Sequence, residues 1–471
     1  MVSLHKEENF VVIELGSFMT KAMQDVSDVN KQPTVRIRTR AGILKQDEEA
    51  AQAESEPKKT PTTVAGADEG EQAVPESSAP SNGPEATNGD NTLAEGSTEP
   101  AGNHNAEAND KDSEQEFGGI NYMFGNVLES AAEESIERTV DIFSDGFVND
   151  WDALSALLRH IVTKELGIRI SSNSSAFLFS VPVLWPKADL ENLTRVAFEH
   201  LNAPTIMIME QPQLAVFGNG AVTGVVVDIG HSVTTVAPVI DSCVQSSAVA
   251  QTPVAGAAVT EHLLELLQAD PQTREQFDDH RVPLEFAAAL KESGLCSIRL
   301  LADDDDDDAD QGPDNERQPF EFGGKAFTVC KDALAKAPEI LLKPTAASAT
   351  PLASLIRQAV LACDTDKRAS LWESIHVIGG ASQFPKLQER LRFDLETAVL
   401  PASNIFALSQ TRDIRFGSIP EYFVGWRNCD HWTAFLGACL VAKVALADSR
   451  HFVSRTEYND NGPSIAHTKS F

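Results

Sequence analysis

Two stretches of this chain carry one design. Phe10-Val11-Val12-Ile13-Glu14-Leu15-Gly16-Ser17-Phe18-Met19-Thr20-Lys21 and Gly224-Val225-Val226-Val227-Asp228-Ile229-Gly230-His231-Ser232-Val233-Thr234-Thr235 each run as an apolar strand, reach a carboxylate, turn on glycine and resume. Each predicts a hairpin. One such hairpin alone is more often a core hairpin with a buried carboxylate. Two of them, with Asp228 lying 214 residues after Glu14, predict a pair of related α/β domains facing one cleft. Turns of this kind aim backbone N–H groups at an anion, while the carboxylate at the strand end faces a hydrated cation. A third glycine element follows the strand Ile375-His376-Val377-Ile378: Gly379-Gly380 leads toward a helix expected from about Pro385 to Leu395 and allows close approach of a ligand.

Charge limits what such a protein meets. With 38 Lys and Arg against 70 Asp and Glu, the net charge of −32 lacks the basic footprint that phosphate backbones require. No direct DNA binding is expected, and basic proteins or helices are the expected partners. Cys243, Cys296, Cys330, Cys363, Cys429 and Cys439 show no metal-ligand spacing, so they predict reduced buried thiols and no metal site. No signal-like apolar core and no run of about eighteen apolar residues occurs, which predicts a soluble intracellular chain and no membrane partner.

Between the glycine elements the expected order is local and periodic. Pro33–Arg40 alternates apolar and basic residues and predicts an edge strand with solvated arginines. Lys45–Glu116 holds 18 acidic and 4 basic residues and few aliphatic ones, which predicts disorder. Asn149-Asp150-Trp151 caps a helix carrying Leu154, Leu157, Leu158, Ile161 and Val162 at helical spacing. Strands are expected at Ala176–Val181 and Thr205–Met209, and helices from about Asp189 to Leu201, from Pro212, at Val259–Leu267 and at Leu284–Ser293. The Asp303–Asp308 run reads as a solvated loop, because it lacks the spaced ligands and turn glycine of a calcium loop.

In order and separation, the three glycine elements resemble the two phosphate loops and the adenosine loop of the actin-like ATPase fold. Gly146–Asp152, Pro186-Lys187-Ala188, Phe198-Glu199, Ala203-Pro204, Lys291–Cys296, Cys363–Arg368 and Leu371-Trp372 are similar to actin segments. The ending Glu457–Phe471 is the most specific of these. Pro420–Trp426 with Trp432–Ala438 resembles the ninth fungal class of actin-related proteins, nuclear subunits of SWI/SNF and RSC type chromatin remodelling complexes.

The resemblance implies an α/β actin-like fold of two related domains, four subdomains, around a central cleft. It places the first subdomain at 1–44, a disordered acidic insert at 45–116 and the rest of the first domain at 117–223. The second domain follows at 224–302, an acidic loop at 303–318, the adenosine-loop part at 319–425 and the C-terminal helix and tail at 426–471. In the family two aspartates position magnesium, a lysine binds phosphate, and a glutamine with a histidine orients water. Here Asp228 keeps one carboxylate, Glu14 replaces the other, and Lys21 and Gln211 match the lysine and glutamine. Lys291 and Glu292 match the adenine-side pair. Gly16, Ser17, Gly230, Gly379 and Gly380 complete the degenerate cleft.

The departures fall on the loops. Phe18 stands for a glycine, His231 and Ser232 for an Asp-Gly, and Thr235 for the histidine. His231 is expected to be partly cationic, and Asp228, Lys21 and Gln211 to link the two sides of an empty cleft. The expectation is therefore no ATPase, no bound ATP or metal cofactor, and a scaffolding role. The implied partners are a second actin-related protein and a helical segment of a Snf2-type remodelling ATPase, with histones touched weakly if at all. Contact through the apolar cleft between the outer subdomains is expected, while the tail reads as a packed helix and strap. The alternatives are an ATP-binding switch or slow ATPase in the same complex, and a cytoskeletal filament subunit.

Overall fold

β1 (Phe10–Glu14) is buried along its whole length, as its unbroken apolar run requires of a central strand. Its alternate side chains enter two different cores. Val11 and Ile13 pack with Phe177 and Phe179 against one helical layer, whereas Phe10 and Val12 pack with Leu178 and Phe435 against another. β1 pairs antiparallel with β2 (Met19–Gln24) and β2 with β3 (Val35–Arg38). On its other side β1 runs parallel to β4 (Ala176–Val181), which runs parallel to β5 (Thr205–Glu210).

The second sheet repeats this plan. β6 (Gly224–Ile229) pairs antiparallel with β7 (Thr234–Ile240) and parallel with β8 (Ile375–Ile378). Each sheet thus places a parallel strand beside the first strand of its hairpin. The expected α/β architecture of two related halves is what the chain forms.

The computed structural model describes residues 6–45, 115–117, 120–131, 135–300, 316–345, 349–399, 413–445 and 449–469. Lys45 apart, these belong to one compact unit, Met1–Leu44 with Glu114–Phe471. The expected acidic insert and the aspartate run lie outside the described residues, except that Gln115–Phe117 already pairs with Ile120–Met123.

The expected helices form close to their expected bounds, and Leu352–Leu361 adds one that was not expected. α1 (Trp151–His160) is capped by Asp150, whose side chain accepts from the Ala153 N–H at 2.9 Å. α2 (Lys187–Arg195) starts earlier than expected, directly after Pro186, and continues through Val196–His200 as a wider turn. α3 (Gln211–Gly218) carries the chain from the first sheet to the second. α4 (Gly256–Ala269) and α5 (Leu284–Glu292) cover the second sheet. After β8 a short turn at Gly380–Gln383 precedes α6 (Leu387–Val399), so this helix begins two residues beyond the expected Pro385.

α7 (Thr433–Ala445) leads the chain back to the first sheet, where β9 (Val453–Ser454) pairs with β5. The two crossing helices, α3 and α7, meet backbone to backbone. A Cβ at Gly437 would overlap Leu214 O, and one at Gly218 would overlap Thr433 O. The tail packs as expected: α8 (Arg455–Asn461) has a Ser454/Glu457 capping box, and Tyr458 Oη donates to Glu199 at 2.6 Å.

Two expectations need correction. Only Cys296, Cys363 and Cys439 are buried, while Cys243 is exposed because it lies on the short strand Cys243–Val244 at the edge of the second sheet. β3 is an edge strand, but its arginines are not simply solvated: Arg36 stacks on Trp432 and Arg38 on Phe18.

Candidate functional site

The two hairpins put equivalent residues at equivalent places. Glu14 pairs across strands with Lys21, and Asp228 pairs with Thr235. Both carboxylates face one cavity of about 690 Å³. Glu14, Gly16, Ser17, Phe18, Lys21 and Gln211 line it from the first half, and Asp228, Gly230, His231, Lys291, Glu292, Gly379 and Gly380 from the second. Every predicted site residue is brought together there.

Tight turns hold these groups in place. A side chain at Gly16 would meet Met19 O at 2.6 Å, and one at Gly230 would meet Val233 O at 2.9 Å. Gly379, at φ 92°, lies so close to Asp228 that any Cβ would overlap its carboxylate. Burial, and then the Glu14 carboxylate, push Asp228 up to about 6, against the opposing pull of Lys21.

Several groups that could meet an anion are committed to protein partners. Lys21 forms an ion pair with Glu14. Lys291 Nζ donates to Gly256 O at 3.0 Å and Thr260 Oγ1 at 2.7 Å, and burial lowers its pKa. The first N–H groups of α4 are occupied too: Gly256 N donates to Gly230 O at 3.0 Å and Ala257 N to His231 O at 2.8 Å. Thr235 Oγ1 accepts from Gln251 at 3.1 Å, and Gln211 Nε2 donates to Leu15 O at 2.7 Å. Glu14 Oε2 is buried with no hydrogen-bond partner among the described residues.

The network expected to join the two sides stays on one of them. The Lys21 and Gln211 bonds both end on the β1 hairpin, because strand register sets Lys21 opposite Glu14 and α3 starts beside Leu15. The joining groups are different ones. Phe18 and His231 stack across the cleft with ring centroids 4.6 Å apart and planes inclined by 36°. The Arg38 guanidinium lies 4.5 Å over the Phe18 ring and approaches Glu292 at 3.6 Å and Glu129 at 3.4 Å. His231 is not partly cationic. Burial, with Lys291 and Arg38 nearby, pushes it down to about 4 despite Asp141, so the ring is neutral at pH 7.

Sequence reasoning missed Arg36, Arg38, His431 and Trp432. Arg36 lies opposite Lys21 and Arg38 opposite Met19 in the β2–β3 register, so the row Glu14–Lys21–Arg36 crosses three strands on one face. The alternation in Val35–Arg38 was the available signal, and only the pairing register turns it toward the cleft. Arg36 stacks on Trp432 at 4.6 Å, and the His431 carbonyl accepts from Gly379 N at 3.2 Å.

Two carboxylate-ended hairpins on two repeated sheets, joined by crossing helices around a cavity, define a duplicated two-domain cleft protein. A family model described as Actin matches residues 5–471, and the chain belongs to the actin family. It is similar to Actin-like protein 9 of Rattus norvegicus, 27% identical over 327 residues, covering 68% of this chain and 72% of the relative. For Actin-like protein 9 of Mus musculus the identity is 26% over 349 residues, covering 73% and 77%. The Homo sapiens protein of that name is 28% identical over 330 residues, covering 69% and 72%.

Proposed function

We propose that this chain is a non-catalytic scaffold: a nuclear actin-related subunit of a SWI/SNF or RSC type chromatin remodelling complex, of the ninth fungal class. It pairs with a second actin-related protein on the helicase-SANT-associated helix of a Snf2-type ATPase and couples that helix to motor regulation. The observation that carries the non-catalytic part is the Phe18–His231 ring contact, which joins the two hairpin turns at 4.6 Å. Lys21 is paired with Glu14, and the Gly256 and Ala257 amides of α4 are bonded to the second turn, so these donors are engaged by the protein itself. Thr235, bonded to Gln251, has no basic atom with which to orient water. The remodeller assignment rests on the resemblance of Pro420–Trp426 with Trp432–Ala438, together with the divergence from actin and the acidic insert; the Glu457–Phe471 ending supports the actin family alone.

An ATP-binding switch in the same complex is favoured by one observation, the unpartnered Glu14 Oε2 beside Asp228. Affinity purification of the tagged chain from its native cells, with mass spectrometry at moderate salt, tests the partner assignment. Recovery of a Snf2-type ATPase with a second actin-related protein in comparable amounts is the expected result. Recovery of filament or motor components without a remodelling ATPase would restore the cytoskeletal reading.

A further inference from the structure

The mouth of the cleft is crossed by one layered set of side chains. From the first half come Phe18, Arg38 and Glu129; from the second come His231 and Glu292. Arg38 lies between an aromatic ring and two carboxylates, 4.5 Å from the Phe18 centroid, 3.6 Å from Glu292 and 3.4 Å from Glu129. Phe18 turns its ring onto the neutral imidazole of His231 at 4.6 Å. Each ring is anchored to its own half. Thr39 N donates to Phe18 O at 2.9 Å, which ties the first turn to the end of β3. Ala257 N donates to His231 O at 2.8 Å, which ties the second turn to α4. Gly146 and Val233 approach alongside, with a Cβ at Gly146 meeting the valine methyl at 3.6 Å.

We propose that Phe18, His231, Arg38 and Glu292 form a latch that holds the two halves of the cleft together without a ligand. The proposal rests on the nucleotide-independent reading of the cleft and adds its regulation: salt, or a competing carboxylate, loosens the latch through Arg38. Stack and ion pair differ in their exposure. The Arg38 and Glu292 side chains are 35% and 43% exposed, so ions reach that pair, whereas the ring contact lies inside the cavity lining. Salt therefore weakens one layer and leaves the other.

Hydrogen exchange of the full chain, read by mass spectrometry at low and high salt, tests the latch. Arg38→Ala is expected to speed exchange of the amides in 16–19 and 230–233 by about fivefold to tenfold, with β4 and α1 unchanged. In the unmodified protein high salt should reproduce part of this increase, and it should add nothing in Arg38→Ala. Glu292→Gln keeps the ring contact and the fold; it should exchange only slightly faster and lose most of the salt response, the remainder coming from the Arg38–Glu129 pair. The latch is overturned if both turns exchange in Arg38→Ala as they do in the unmodified chain, or if Glu292→Gln keeps the full salt response. Should Arg38→Ala exchange faster everywhere, the Glu292→Gln result decides. An added Mg-ATP arm separates the two claims. Slower exchange at both turns on adding Mg-ATP would overturn the nucleotide-independent reading, whereas a flat ATP response with no Arg38 dependence would overturn the latch alone.

Discussion

His376 shows how burial makes a side chain acid-sensitive in this molecule. Its buried ring is enclosed by Gly224, where a Cβ would lie 2.7 Å from Nε2, and by Gly417, where a Cβ would overlap Cε1. Asn219 Nδ2 faces Nδ1 at 2.8 Å, so Nδ1 accepts, and Nε2 donates to Ser374 Oγ at 2.9 Å. Burial pushes its pKa down to about 4, and burial with neighbouring cations does the same to His231 and His431. Between pH 6.5 and 4 the unfolded chain takes up protons on these rings that the folded chain refuses, so their stabilisation is complete above 6.5 and lost as pH falls. Asp228 acts in the opposite sense. Raised from 3.8 to about 6, it stabilises the fold below 3.8 and loses that contribution as pH rises through 6. A fully buried group contributes at most about 1.4 kcal/mol per pH unit inside its window, less for the part-exposed His231 and His431; burial also lowers His160 and His200 and raises Glu210, so the depressed imidazoles outnumber the raised carboxylates. Thermal melts should show the unfolding midpoint dropping from pH 7 to pH 5, and a flat or rising midpoint would refute this. His376→Phe leaves Asn219 and Ser374 unpaired in a closed site; a loss of about 2–4 kcal/mol and a shallower pH dependence are expected in denaturant titrations.

At the scale of elements, the crossing helices carry the tightest constraint. Gly437→Ala would push a methyl into the Leu214 carbonyl of α3, where neither backbone has room to move. A loss of about 3 kcal/mol or more is expected. Gly294→Ala makes the useful contrast, because Gly294 sits at φ 79° with nothing within 4 Å of where the added methyl would lie, so it faces backbone strain alone, about 1 kcal/mol. Equal denaturation midpoints for the two variants would contradict this account of the α3–α7 contact. At the C-terminus, Ser454→Ala removes the capping box of α8 and should weaken that helix by about 1 kcal/mol, visible as faster exchange of the Arg455–Tyr458 amides.

Elements of this kind were legible where their signals are local. The apolar run to Glu14, the Asp150 cap and the Gly379-Gly380 turn each declare themselves within a few residues. The Phe18–His231 stack did not, because it depends on where two distant turns meet. Arg38 was legible as a basic residue on an edge strand, but its position over Phe18 follows from the β2–β3 register, which the alternation alone leaves open.

For the whole molecule, duplication explains the shared cavity. Two sheets of one plan are linked by two helices in backbone contact, so the halves meet at a crossing with little room and face each other across the remaining gap. The repeat was legible because both hairpins keep the carboxylate-to-glycine spacing. What the cleft now does was less legible, since the retained Asp228, Lys21 and Gln211 suggest a ligand while Lys21 and Gln211 are bonded to protein groups. In the proposed account closure comes from side chains of the chain itself, Phe18 and Arg38 meeting His231 and Glu292. The most direct test is the amount of adenine nucleotide released by acid from the chain purified gently with its native partners. The account predicts a small fraction of one nucleotide per chain. Close to one nucleotide per chain would contradict it.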